Sequence, residues 1–211
     1  MIDLYTWATP NGRKASIMLE GVGLPYAVHP VNIGRQEQFC PAFVAISPNS
    51  KIPAILDNDA PGGPLSVFES GTVLIYLAEK TGRLLASEEA ERYKALEWLS
   101  WQLGGIGAIF GQLGFFAMRS TEKSVLAIER FTEESRRLLN VLDRRLQESP
   151  YLAGDKYSIA DIICYPWTVA GTTYLKPVLG EIIEAMPAVN RWLTAVGGRE
   201  AVRRGMAVPK I

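Results

Sequence analysis

The stretch Lys51-Ile-Pro-Ala-Ile-Leu-Asp-Asn-Asp-Ala-Pro-Gly-Gly-Pro-Leu-Ser-Val-Phe-Glu-Ser70 decides how the chain reads. Pro53 to Asp57 and Leu65 to Phe68 are short apolar runs that read as two strands. Between them Asn58 to Pro64 is dense in turn residues. Glu69-Ser70 then opens a helix that runs to Thr81 and is closed by Gly82. Working outward toward the start of the chain, Ile2 to Tyr5 reads as a strand. Thr9-Pro10-Asn11 opens a helix that reaches about Val22, where Gly23 and Pro25 stop it. Tyr26 to Val31 reads as a second strand, and Asn32 to Ser50 as a long loop. The order is β-α-β, a loop, then β-β-α, which predicts a small α/β sheet domain over residues 1–82.

Beyond Gly82 the strand signals nearly vanish. Residues 88–118 carry helical patterning interrupted by Gly104, Gly105, Gly107, Gly111 and Gly114. Residues 123–147 give the clearest helix, with Ile128, Phe131, Ser135, Leu138 and Leu142 at 3-4-3-4 spacing. Ser158-Ile-Ala-Asp161 precedes an apolar stretch to Ala170, and Pro187 begins a helix ending near Gly197. The expectation is an all-helical domain of about five helices over residues 83–211, joined near Thr81 to Glu88. The glycine run 104–111 is not a dinucleotide fingerprint. Phe110 stands where the third glycine would be needed, and a helix rather than a strand precedes it. Close helix approach or a kink explains it better.

Composition narrows the function. The 211 residues are 48% hydrophobic and 21% charged, which is ordinary for a globular chain. Lys plus Arg and Asp plus Glu are both 22, so no net charge draws the protein to nucleic acid or to an anionic membrane. No apolar run approaches the ~20 residues of a membrane span. The start, Met-Ile-Asp-Leu-Tyr, lacks the basic region of a signal peptide. Cys40 and Cys164 lie far apart and form no C-x-x-C, so a reducing cytoplasm is the expected compartment. The single histidine, His29, sits in a strand and reads as structural. Cysteine and histidine together are too few for a zinc site, and no metal is expected.

Three places carry candidate chemistry. Thr9-Pro10-Asn11 is a strong helix start, and capping alone, worth about 1 kcal/mol, would account for it. The same helix end also presents free N–H groups and partial positive charge, with Thr6, Thr9 and Asn11 crowding one edge of the sheet. A thiolate would be stabilised there. Glu69-Ser70 offers a second helix start, where Ser70 reads as an N-cap. With nearby N–H groups it would hold an α-carboxylate, and Glu69 an α-amino group. Lys51-Ile52-Pro53 precedes a strand. A cis bond at Pro53 would offer the Ile52 backbone to a peptide, and Lys51 would reach a second carboxylate.

Taken in order, these are the parts of a thioredoxin-like site for glutathione, a tripeptide with one amine, two carboxylates and a thiol. Over essentially its full length the chain resembles the glutathione transferase superfamily. The resemblance rests on Ser47-Pro-Asn-Ser-Lys-Ile-Pro53, Phe68-Glu-Ser-Gly71, Ile75-Tyr-Leu-Ala-Glu-Lys80 and Ser158-Ile-Ala-Asp-Ile162. The last looks like the family's capping box. Thr9-Pro-Asn-Gly12, Gln38-Phe39 and Ala127-Ile-Glu-Arg130 resemble the nu class, which is related to the fungal prion-type nitrogen regulator.

The resemblance implies a thioredoxin-like domain followed by an all-helical domain, and a homodimer. It implies glutathione binding by Asn11, Gln38, Lys51, Ile52, Pro53, Glu69 and Ser70, with Arg130 reaching in from the other subunit. It implies that Thr9 and Asn11 activate the thiol. One or two glutathiones, or oxidised glutathione, are expected per subunit. Disulfide-bond reduction without a protein cysteine is the expected activity. Conjugation of small electrophiles is the first alternative, in a second pocket of Trp7, Phe115, Phe116, Tyr165 and Trp167, at least half of which also read as core. A non-enzymatic binding or regulatory module is the second alternative, weakened by the lack of an extended disordered tail. The run Gly111-Gln-Leu-Gly-Phe-Phe116 departs from the more polar class pattern, which makes that pocket more apolar. Cys40, two residues after Gln38, reads as incidental, with a mixed disulfide as the alternative.

Overall fold

The computed structural model describes residues 1–210. It divides into two compact units. One comprises Met1–Ser87 and the segment from Gly198 onward; the other is Glu88–Gly197.

The first unit is built on a four-stranded sheet. Its strands are β1 (Ile2–Thr6), β2 (Tyr26–Pro30), β3 (Ala54–Asp57) and β4 (Leu65–Phe68), in spatial order β2-β1-β3-β4. β1 pairs parallel with β2 and antiparallel with β3, and β3 pairs antiparallel with β4. Helix α1 (Pro10–Val22) is the crossover between the parallel strands. Helix α3 (Ser70–Thr81) follows β4. The thioredoxin-like order expected from the sequence is the observed one.

Apolar residues from strand and helix close the core. Ile2, Leu4, Ala54 and Ile55 from the sheet and Ala15, Ile17, Met18 and Leu19 from α1 are essentially inaccessible, as are Val73, Leu74 and Leu77 of α3. Each such large side chain contributes roughly 1.5–3 kcal/mol by leaving water. His29 is structural as expected, stacked on Tyr5 at 4.8 Å and 2.9 Å from the Asp3 carboxylate.

Two expectations need correction here. Residues 32–50 are not plain loop. Asn32 caps a 3-10 turn (Ile33–Arg35), a second follows (Glu37–Phe39), and Pro41 starts the short helix α2 (Pro41–Val44). The second correction concerns the boundary. A final helix, α10 (Glu200–Met206), belongs to the sheet unit rather than to the helical one. Ser16 Oγ on α1 donates to the Gly205 carbonyl at 2.7 Å, and Arg204 Nε meets Glu20 at 2.6 Å.

The second unit contains α4 (Glu89–Gly104), α5 (Ile106–Leu113), a π-helical stretch (Gly114–Arg119), α6 (Val125–Glu148), α7 (Ile159–Thr172), α8 (Lys176–Glu184) and α9 (Pro187–Gly197). The glycine run does mark close approach. A Cβ on Gly105, between α4 and α5, would lie 2.6 Å from the Trp101 carbonyl oxygen and 3.1 Å from Leu138. The capping box forms in full. Ser158 Oγ accepts from Ala160 N–H at 3.3 Å, and Asp161 returns to Ser158 N–H at 3.0 Å. Asp161 also accepts from Leu152 N–H at 3.1 Å and the Trp192 indole at 2.8 Å. Burial pushes its carboxyl up to about 6, against the lowering effect of these hydrogen bonds. No helix among the described residues is long and apolar enough to cross a membrane.

Candidate functional site

The site begins where β1 hands over to α1. Thr9 is extended at φ −121° and ψ 161°, and its Oγ1 accepts from Gly12 N–H at 3.1 Å. Its own N–H donates to the Trp7 carbonyl at 2.7 Å, which fixes the turn. Gly12 is required by space. A Cβ there would stand 2.1 Å from the Trp7 carbonyl oxygen and 2.5 Å from Thr6 Oγ1. Thr6 is therefore under the helix, fully buried, and its hydroxyl has no hydrogen-bond partner among the described residues. It does not share the open edge with Thr9 and Asn11.

The loop before β3 supplies the second wall. Ser47 Oγ donates to the Lys51 carbonyl at 2.9 Å. Ile52-Pro53 is cis, and Ile52 packs with Tyr5 and Ile46 on the cluster of Val31, Phe43 and Ala54. Lys51 is exposed.

The third wall is the start of α3. Glu69, not Ser70, occupies the cap position, at φ 67° and ψ 118°. An L-residue adopts this conformation at a cost of about 1–3 kcal/mol. Its carboxylate accepts from Asn49 Nδ2 at 3.1 Å and makes no cap hydrogen bond to the helix. The expectation that Ser70 is the N-cap is thus corrected: Ser70 is the first helical residue. The N–H groups of the first turn, with the helix dipole behind them, are left to an anion or to solvent.

Asn11, Asn49, Lys51, Ile52, Pro53, Glu69 and Ser70 line one cleft of about 180 Å³. Six of the sequence-predicted site residues therefore come together. Thr9, at the cap of α1, and Gln38, in the second 3-10 turn, are not among the lining residues, and the Gln38 amide oxygen is buried. Arg130 is exposed on α6 of the helical unit.

Of the aromatics expected in a second pocket, Trp7 lies in the sheet unit and the other four in the helical unit. Phe115 is 46% exposed, meets Phe116 edge-on at 5.1 Å and has the Arg119 guanidinium 6.0 Å from its ring centre. Phe116 stacks on Phe131 at 5.8 Å. Tyr165 packs on the fully buried Trp192 at 5.9 Å and against Gly197, and burial raises its phenol above the ordinary range. It is half-buried within the helical unit. Trp167 lies beside Gly107 and Gly111 on α5, and Trp7 precedes α1.

Two residues escaped the sequence reading. Asn49 lies inside the quoted Ser47–Pro53 motif, and only its contact with Glu69 reveals its place. Lys14 is 1% exposed, with Nζ 3.5 Å from Ser70 Oγ. Its signal is position: with Ile17 and Met18 it falls on the apolar face of α1, where a lysine is out of pattern.

A thioredoxin-like sheet unit and a helical unit, with a polar cleft where α1 and α3 begin, define the architectural class. Two family models match it: "Glutathione S-transferase, N-terminal domain" over residues 8–80 and "Glutathione S-transferase, C-terminal domain" over residues 108–200. The disulfide-bond oxidoreductase YfcG of Escherichia coli strain K12 is 47% identical over 209 residues, covering 98% of this chain and 94% of that protein. A glutathione transferase family member from Pseudomonas fluorescens, solved with two glutathiones bound, superposes with a TM-score of 0.94 at 46% identity, over 99% of this chain and 93% of that one. A glutathione transferase from Pseudomonas putida, with one glutathione disulfide bound per subunit, has a TM-score of 0.94 at 43% identity, over 99% and 91%. The chain belongs to the glutathione S-transferase family.

Proposed function

We propose that the protein is a glutathione-dependent disulfide-bond oxidoreductase that works without a cysteine of its own. The observation that carries this reading is the cleft itself. It joins the starts of two helices, offers partners for an amine and two carboxylates, and has no cysteine among its described lining residues. Cys40 is exposed and Cys164 buried, and they are not joined. The name of the E. coli relative and the ligands of the two Pseudomonas structures support the same reading.

The donor set fits glutathione as co-substrate. Ser70 and the uncapped first turn of α3 hold the γ-glutamyl carboxylate, and Glu69 holds the amine. Ile52 pairs with the cysteinyl backbone, while Lys51 and Gln38 meet the glycyl end. Thr9 and Asn11 address the thiol. Because Thr9 Oγ1 uses a lone pair on Gly12 N–H, its proton is free to point at sulfur. A free thiol has a pKa of about 8.5, and lowering it by about two units takes about 2.7 kcal/mol. One charge-assisted hydrogen bond and a helix N-terminus supply that much.

The reaction balances as two glutathiones plus one disulfide giving glutathione disulfide and two thiols. The first sulfur–sulfur bond forms as that of the substrate breaks, and the departing thiolate takes a proton. The second thiolate then cleaves the mixed disulfide. A homodimer in the cytoplasm, with Arg130 reaching the partner's site, completes the proposal.

Phe115, exposed beside Phe116 and Arg119, favours a second activity, conjugation of an apolar electrophile. The test is reduction of a small organic disulfide with glutathione, following glutathione disulfide. Turnover supports the first reading. Binding of glutathione without turnover on any disulfide moves the assignment to conjugation, and binding without turnover on electrophiles either moves it to a binding module.

A further inference from the structure

Lys14 is not among the residues that line the cleft, yet it stands directly behind one of them. Its side chain is sealed from solvent at 1% exposure, and its Nζ is 3.5 Å from Ser70 Oγ. Ser70 is itself 7% exposed and opens α3, whose cap residue Glu69 makes no side-chain cap hydrogen bond. A strongly hydrated ammonium is costly to bury, and the field of a charge in the interior is screened far less than that of a surface lysine. This cation therefore acts on whatever Ser70 holds. A hydroxyl that accepts from an ammonium turns its own proton outward, toward the cleft, and is polarised as a donor.

We propose that Lys14 is a positioning residue for the α-carboxylate of the bound γ-glutamyl group: a buried cation that orients the Ser70 hydroxyl as a donor and adds charge behind the start of α3. The inference rests on the glutathione reading above. It assigns to Lys14 the selection of ligands that carry a carboxylate at that point. Lys51, at the exposed rim, serves the other end and contributes a screened attraction.

The test compares glutathione with γ-aminobutyryl-cysteinylglycine, which lacks only the α-carboxylate, by calorimetric titration of the full chain. The intact protein should prefer glutathione by about tenfold or more, the scale of a charge-assisted hydrogen bond. Lys14→Met should lose most of that preference while binding the truncated tripeptide as the parent does, and Lys14→Arg should restore part of it. Ser70→Ala should lose preference too, and Lys14→Met should add little to it, because both act on one carboxylate. Equal weakening of both ligands in Lys14→Met, or an unchanged preference, overturns the inference. Should Lys14→Met not fold, Lys14→Gln takes its place in the same comparison: it keeps an unbranched side chain with a donor but no charge, and a preference for glutathione equal to the parent's overturns the inference. No binding of glutathione by the intact protein refutes the underlying functional reading instead.

Discussion

Thr9 caps α1 through a lone pair of its hydroxyl. The function proposed above gives the hydroxyl proton a second task, on the glutathione sulfur. Thr9→Ala removes both. Stability should fall by about 1 kcal/mol in urea unfolding, and kcat/KM for disulfide reduction by about 10- to 100-fold. Thr9→Ser should keep both. If Thr9→Ala and Asn11→Ala each leave kcat/KM unchanged, neither residue addresses the sulfur. At this scale the sequence was most readable where a residue type has few other uses. Thr-Pro-Asn before an amphipathic run states a helix start, and Glu-Ser after a strand states another. It was least readable where the deciding contact is distant in sequence. Asn49 meets Glu69 across twenty positions, and Lys14 meets Ser70 across fifty-six. Ser70 read as a cap for the same reason: its partner is a lysine on another helix, not a backbone N–H of its own.

Asp57 ties two elements of the sheet unit. At the end of β3 it accepts from Tyr76 Oη at 2.5 Å and meets Lys80 Nζ at 2.6 Å, both on α3. Burial alone would raise its carboxyl, but Lys80 and Tyr76 outweigh burial and hold it below its ordinary 3.8. The folded form therefore binds that proton more weakly than the unfolded chain does. The stability it contributes is present above about pH 4 and is lost as pH falls through the lower folded value. Asp57→Asn should lower stability near neutral pH by roughly 3 kcal/mol, since it leaves Lys80 without its carboxylate. It should also flatten the loss of stability below about pH 4. Urea midpoints from pH 7 downward check both, and an equally steep acid loss in the variant would remove Asp57 from the account.

The elements themselves were legible in proportion to their length. The strands and α1, α3, α6 and α9 follow from apolar periodicity and from Gly and Pro at their ends. Helix α2 has 4 residues and α10 has 7, too few for a period to register. Helix α8 did not figure among the expected helices; Pro177 stands in its first turn, where proline is tolerated, and Gly180 lies within it.

The two units are each compact, and the order of domains was visible as a change from mixed to purely helical patterning. What the pattern did not show is that the chain returns to the sheet unit at its end. That return depends on Ser16 and Glu20 of α1 meeting Gly205 and Arg204 of α10, contacts with no local signature. At this scale the proposal of a dimer is directly checkable. Sedimentation equilibrium should give twice the 23.2 kDa chain mass. Arg130→Ala should raise the KM for glutathione with kcat little changed. A species of single-chain mass would remove the role given to Arg130.

The central claim is that the thiol chemistry belongs to glutathione and not to the protein. The measurement that tests it most directly is glutathione-dependent reduction of a small disulfide by the chain carrying Cys40→Ser and Cys164→Ala together, set beside the parent. The account predicts kcat and kcat/KM within about twofold of the parent, because neither cysteine lines the cleft. A folded, glutathione-binding variant that has lost turnover would place a protein cysteine in the reaction and contradict the account.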